Sequence, residues 1–207
     1  MMGIQYIVGV DDGYFPPYYK SRKGYTLLVA VKYDLLNRSV DAVAYTPVLV
    51  DGLDATIKAI ELLRMVKGDL VLYDGVTYAG FNIIDPYRVY SELGIPGIVF
   101  YRHPLSLERI RNALLKHFPD HMVRLEIIAR VLRQRFRMDS MWGIYEYTPI
   151  HIDPLEAREI LRKLQYYSPE PEPLRIADTL ASTTSRRLIQ RIISERARRD
   201  LNPGPTG

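Results

Sequence analysis

The 207-residue chain contains no cysteine. That absence removes disulfides, thiolate metal sites and cysteine nucleophiles together, and it suits a reducing compartment. Histidine is scarce as well. His103, His117, His121 and His151 form no pair at metal-ligand spacing, so each reads as structural or exposed. No apolar run reaches the ~18 residues a membrane helix requires. No basic segment precedes an apolar stretch near Met1, so export is not expected and a cytoplasmic location is. The Gly-x-x-x-x-Gly-Lys phosphate loop, the paired-His zinc helix and the Gly-x-Ser-x-Gly elbow are also missing. What remains for chemistry is oxygen, chiefly from carboxylates.

What is present is a folded composition: 47% apolar, 25% charged, and 16 Tyr beside 5 Phe and one Trp. The length suits one domain, taken as residues 1–200, with 201–207 as a frayed tail. The net charge of +4 is unevenly spread: −2 over residues 1–101, +6 over 102–138, −4 over 139–174 and +4 over 175–207. Cationic blocks beside an acidic half suit a bound polyanion, with a solvated helix face as the alternative.

Apolar patterning predicts strands at residues 4–10, 25–33 and 39–50, joined by turns as an antiparallel meander. A basic, aromatic loop over 14–24 separates the first two. Pro47 cannot donate to a ladder, so the third strand should lie at a sheet edge or be bulged there. Asp54 is the expected N-cap of a helix with Ile57, Ile60 and Leu63 inward. The run Leu70-Val-Leu-Tyr-Asp74 then reads as a strand buried on both faces. A helix over 86–93, a strand over 95–101 and helices over 107–118 and 121–136 follow, then a strand over 141–148. Asp153-Pro154-Leu155-Glu156 opens a helix with Leu155 buried. Residues 168–173 form a rigid Pro-rich connector, and a last helix starts near Leu174 with a break expected at 182–185. The order predicts an α/β fold: a ribonuclease-H-like mixed sheet, three antiparallel strands and then parallel ones, flanked by helices.

In that arrangement Asp11 ends the first strand, Asp54 opens the first long helix and Asp74 ends the fourth strand. Asp74-Gly75 alone reads as a turn before it reads as a site. Three carboxylates converging on one sheet edge read differently, because crowded like charges call for a cation. Oxygen ligands with water positions suit Mg²⁺ or Mn²⁺, and such ions can activate water for phosphodiester hydrolysis.

Gly9-Val10-Asp11, Ala44-Tyr45-Thr46-Pro47 and Asp74-Gly75 resemble motifs of endonuclease V, a repair nuclease that nicks DNA near deaminated bases. Asp11-Asp12-Gly13, the segment Val50 to Thr56, Gly80-Phe81-Asn82 and the segment Pro171 to Ala181 resemble more closely an archaeal relative, the uracil-directed endonuclease dU family. The resemblance covers residues 4–182. It implies a metal-dependent endonuclease acting on DNA with deaminated bases, with Asp11, Asp54 and Asp74 catalytic and Asp178 a further metal ligand. It also implies Tyr45 and Pro47 as a wedge at the opened base pair, and Gly80 and Arg102 at the nucleic acid, Arg102 on phosphate with Lys20, Arg22 and Lys23 beside it. Asp54 replaces a family glutamate, leaving Asp51 a rival ligand, and Asp12 and Asp85 are read as outer partners or caps. Endonuclease V's His-Pro-Arg run after the second Asp-Gly is replaced by Thr77 to Asn82, so hypoxanthine specificity does not carry over, and base preference is expected to lie in that stretch. Two other functions remain open: a non-cutting nucleic-acid-binding protein, and an inosine-directed ribonuclease.

Overall fold

Residues 3–201 are described by the computed structural model. In chain order the elements are β1 (Tyr6–Asp12), α1 (Tyr19–Arg22), β2 (Tyr25–Asp34), β3 (Ser39–Leu49), α2 (Ala55–Val66), β4 (Leu70–Asp74), β5 (Thr77–Tyr78), β6 (Asn82–Ile83) and α3 (Pro86–Leu93). There follow β7 (Gly97–Tyr101), α4 (Leu107–His117), α5 (His121–Leu132), β8 (Phe136–Ser140), β9 (Gly143–Ile150), α6 (Pro154–Leu164) and α7 (Glu172–Leu201).

The short apolar runs lie at the centre of the sheet because both their faces are covered. Leu70 to Tyr73 and the whole of β7 are buried. β1, β4 and β7 run parallel, linked through α2 and α3, within a seven-stranded sheet ordered β3-β2-β1-β4-β7-β9-β8. The β1-β2-β3 meander is antiparallel and leaves β3, with Pro47, at the edge; the register irregularity falls at Lys32/Tyr33 rather than at the proline. One face of the sheet packs on α2, α3 and the α4–α5 pair, the other on α6 and α7. Parallel strands point their C-terminal ends the same way, so Asp11, Asp74 and Arg102 arrive at one edge.

The last helix is set by a close approach. A Cβ at Gly9 would stand 2.4 Å from the Pro173 carbonyl oxygen, so only glycine lets the start of α7 lie directly on β1. Beyond that contact Ala177, Ala181, Ser185 and Ile189 are all buried at four-residue spacing. The expected break at 182–185 does not occur. Ser185 donates to the Ser182 carbonyl and Thr179 to the Arg175 carbonyl, so these hydroxyls bond within the helix instead of interrupting it.

Four other expectations change. α5 stops at Leu132, and the residues after it form β8, a strand in which only Met138 is buried. The polar stretch after Asp74 closes into a small β5–β6 hairpin, and part of the 14–24 loop forms the single turn α1. Ile57 and Leu155, expected inward, face solvent. Residues 202–207, read as a tail, lie outside the described residues.

Candidate active site

Each acidic residue at the sheet edge is carried there by a different part of the chain. Asp11 comes at the end of β1 and is only 5% exposed. Asp74 ends β4, where Gly75, at φ +76°, turns the chain away and donates its N–H to the Phe100 carbonyl at 3.0 Å. Asp178 stands on α7. Glu170 enters from the Pro-rich connector, where Ser168 Oγ accepts its N–H at 3.2 Å and donates to its carbonyl at 3.0 Å.

Arg102, just beyond β7, projects among them. Its Nη2 lies 3.2 Å from Asp74, 4.0 Å from Asp11 and 3.9 Å from Asp178, and makes a close ion pair with Glu170. One oxygen from each of Asp11, Asp74 and Glu170 lies within 4.8 Å of the others, a spacing that one metal ion could bridge. Oxygen-only donors carrying more negative charge than the arginine offsets fit Mg²⁺ or Mn²⁺.

The electrostatics match this crowding. Burial, then Asp74 and Asp12, push the Asp11 carboxyl well above its ordinary range. Burial raises Asp74 too, against the lowering influence of Arg102. Asp12 is pushed up to about 7, chiefly by burial, although a backbone hydrogen bond from Ala79 opposes the rise. Glu170 is likewise pushed to about 7 by burial, with Arg102 pulling the other way and Asp74 and Asp178 adding to the rise. Burial alone would lower Arg102, but Asp74 and Glu170 outweigh it and hold the guanidinium more firmly charged.

Asp54 is not among the residues whose oxygens lie within 4.8 Å of one another. It stands at the N-cap position of α2 without a capping bond, and its carboxylate accepts from Asn82 Nδ2 at 2.6 Å and from the Leu49 N–H at 3.3 Å. Asn82 caps the helix in its place, its Oδ1 accepting from the Ala55 N–H at 3.0 Å. Asp51 is also tied to structure. At φ +57° its Oδ1 accepts from the Phe81 N–H at 2.8 Å, and a Cβ on Gly80, itself at φ +86°, would come within 2.3 Å of that oxygen. Asp85 caps α3 through the Tyr87 and Arg88 N–H groups and pairs with Arg130 at 2.7 Å. The β5–β6 hairpin therefore bonds Asp12 through Ala79 and Asp51 through Phe81.

On the Asp51 side lies a cavity of about 810 Å³, with Asp51, Phe81, Phe118, Arg124, Lys20 and Lys23 in its wall. Phe81 and Phe118 meet edge to face at 5.4 Å, and buried Arg124 donates to the Asp51, Gly52 and Phe81 carbonyls. The side chain of Arg22 lies outside the described residues. Tyr45 is 64% exposed on β3, opposite Val29, with Pro47 two residues on. Of the cationic block 102–138, Arg109, Arg111, Lys116 and Arg133 are exposed on or beside α4 and α5. Sequence reasoning missed Glu170; the signal available was a carboxylate between prolines shortly before the helix that bears Asp178.

The profile of the family named endonuclease dU matches residues 4–185. A UPF0215 protein of Sulfurisphaera tokodaii is 34% identical over 191 residues, covering 90% of this chain and 98% of its own. Among solved structures, a protein of unknown function from Archaeoglobus fulgidus superposes with a TM-score of 0.74 at 26% identity, covering 87% of this chain and 98% of its own. Endonuclease V of Ciona intestinalis, solved with a 24-mer DNA containing inosine followed by ribo-adenosine, gives 0.56 at 11% identity, over 93% of this chain and 89% of its own. That last likeness is one of fold alone: the seven-stranded mixed sheet with its flanking helices.

Proposed function

Because the chain belongs to the endonuclease dU family, we propose that it is a divalent-metal-dependent endonuclease that nicks DNA at or near deaminated bases, uracil before hypoxanthine or xanthine. The observation that supports this most is the meeting of Asp11, Asp74, Glu170 and Asp178 around one cationic atom at the ends of the parallel strands. Asp11, Asp74 and Glu170 would hold Mg²⁺ or Mn²⁺, with Asp178 completing the wall. A bound ion would supply Lewis-acid stabilisation of phosphate charge and a more acidic water.

The protein's own groups account for placement. Tyr45, exposed on the edge strand, is available to stack where a base pair is opened. An extrahelical base would enter the cavity beside Phe81 and Phe118, with Lys20 and Lys23 at its wall for the adjoining phosphates. Gly80 and Asp51 hold the hairpin that carries Phe81 into the cavity wall. Asp54 serves this reading by fixing Asn82 rather than as a ligand. The exposed cations of α4 and α5 would track the flanking duplex.

The test is incubation with Mn²⁺ or Mg²⁺ and duplexes carrying deoxyuridine, deoxyinosine or deoxyxanthosine, with inosine-containing RNA alongside. A metal-dependent nick strongest on the uracil duplex is expected, falling by roughly a hundredfold or more in Asp74→Asn, as when one preorganised electrostatic group is lost. Absence of any metal-dependent cut would overturn the enzyme reading, and cutting of RNA alone would reassign the substrate.

A further inference from the structure

The arrangement around Arg102 has an unusual focus: a single nitrogen, Nη2, lies within 4.0 Å of oxygens from Asp11, Asp74, Glu170 and Asp178. Three of those residues are the ones whose oxygens lie within 4.8 Å of one another. A divalent ion at ~2.1 Å from its ligand oxygens and a guanidinium nitrogen among the same carboxylates are like charges drawn to one place. We propose that Arg102 is the resident counter-ion of the metal-free site, and that a divalent ion enters by exchange with it.

The way each partner is mounted says which one moves. Glu170 lies between Pro169 and Pro171, its backbone held by Ser168 on both its N–H and its carbonyl, and α7 begins two residues later against Gly9. Asp11 and Asp74 stand on buried central strands. Arg102 lies beyond the last residue of its strand, on a long side chain that is 37% exposed. The carboxylates form the fixed seat, and the arginine is the mobile occupant. Loading the ion and releasing the guanidinium toward solvent are one event.

A second consequence concerns the metal-free fold. With Arg102 in the seat, mutually repelling acids are held together without an ion. The arginine thus supports the empty site and opposes its filling. Removing it should weaken the metal-free protein while tightening its grip on the ion.

This inference rests on the metal reading of the site, and it is tested without nucleic acid or activity. Mn²⁺ binding to the full chain is followed by the paramagnetic resonance of free Mn²⁺, for the wild type, Arg102→Gln and Arg102→Lys. Arg102→Gln should bind Mn²⁺ roughly tenfold more tightly than the wild type, in the range by which one bound cation opposes another. The shorter lysine, without a planar fork, should bind a few-fold more tightly, and it carries the test if the glutamine variant fails to fold by circular dichroism. Wild-type binding with no gain in either folded variant would overturn the exchange and leave the metal reading standing. No Mn²⁺ binding by any of the three would overturn the metal reading and the exchange with it.

Discussion

Asp51-Gly52 and Asp74-Gly75 are the same dipeptide, each just after a strand or at its end, yet the fold treats them in opposite ways. Asp51 meets donors: its side chain receives the Phe81 N–H, and its carbonyl receives buried Arg124. Asp74 meets other acids, with Arg102 as the cation between them. A carboxylate whose neighbours are N–H groups holds a loop in place. One whose neighbours are carboxylates stores repulsion that a metal ion can relieve. Composition does not separate the two; the company each keeps does.

Substitution should divide them. Asp74→Asn is expected to lose roughly a hundredfold or more in metal-dependent nicking, while its metal-free form unfolds in urea at no lower concentration than the wild type, because repulsion has been removed. Asp51→Ala should behave the other way. It leaves the Phe81 N–H unpaired and should cost about 1–3 kcal/mol in urea unfolding, with Mn²⁺ affinity nearly retained. If both variants lost stability alike, the contrast would fail.

Gly9→Ala is the next largest effect. The added methyl meets the Pro173 carbonyl and must push the start of α7 off β1, at about 1–3 kcal/mol. Since that helix start anchors Glu170 and Asp178, Mn²⁺ affinity should fall as well, which separates this variant from Asp51→Ala.

The pH dependence follows from the raised acids. Asp12 and Glu170, both at about 7, bind their protons more tightly folded than unfolded. Their contribution to stability is therefore fully present below the ordinary carboxylate range near ~4 and is lost as pH rises through about 7. The metal-free protein should unfold at lower urea at about pH 8 than at about pH 5, and saturating Mn²⁺ should reduce that difference. A metal-free protein that gained stability over this range would contradict the crowding.

Tyr45→Ala should have the smallest effect on the fold, within ~0.5 kcal/mol, because the ring is exposed. Nicking of a duplex should nonetheless fall by more than nicking of the same lesion in a single strand, where no base pair needs opening.

Much of the central sheet was legible in the sequence because fully buried strands are written as unbroken apolar runs, as in Leu70 to Tyr73. Parallel placement then carried Asp11 and Asp74 to one edge. Glu170 was not legible: its position depends on α7 docking at Gly9, a contact between opposite ends of the chain that no local pattern encodes. Asp54 stands where a helix N-cap was expected, but Asn82, distant in sequence, takes over the capping and engages its carboxylate. β8 escaped notice because a strand with one buried residue, Met138, shows no alternation.

The close seating of α7 on β1 has a consequence for how the protein is made. Asp11 leaves the ribosome early, but Glu170 and Asp178 follow only after nearly the whole described chain, and their place is taken when Pro173 settles on Gly9. A partly translated chain therefore has an acidic strand end and no enclosed site. The order of synthesis places the closing of the acidic cluster after nearly all of the described chain has been made.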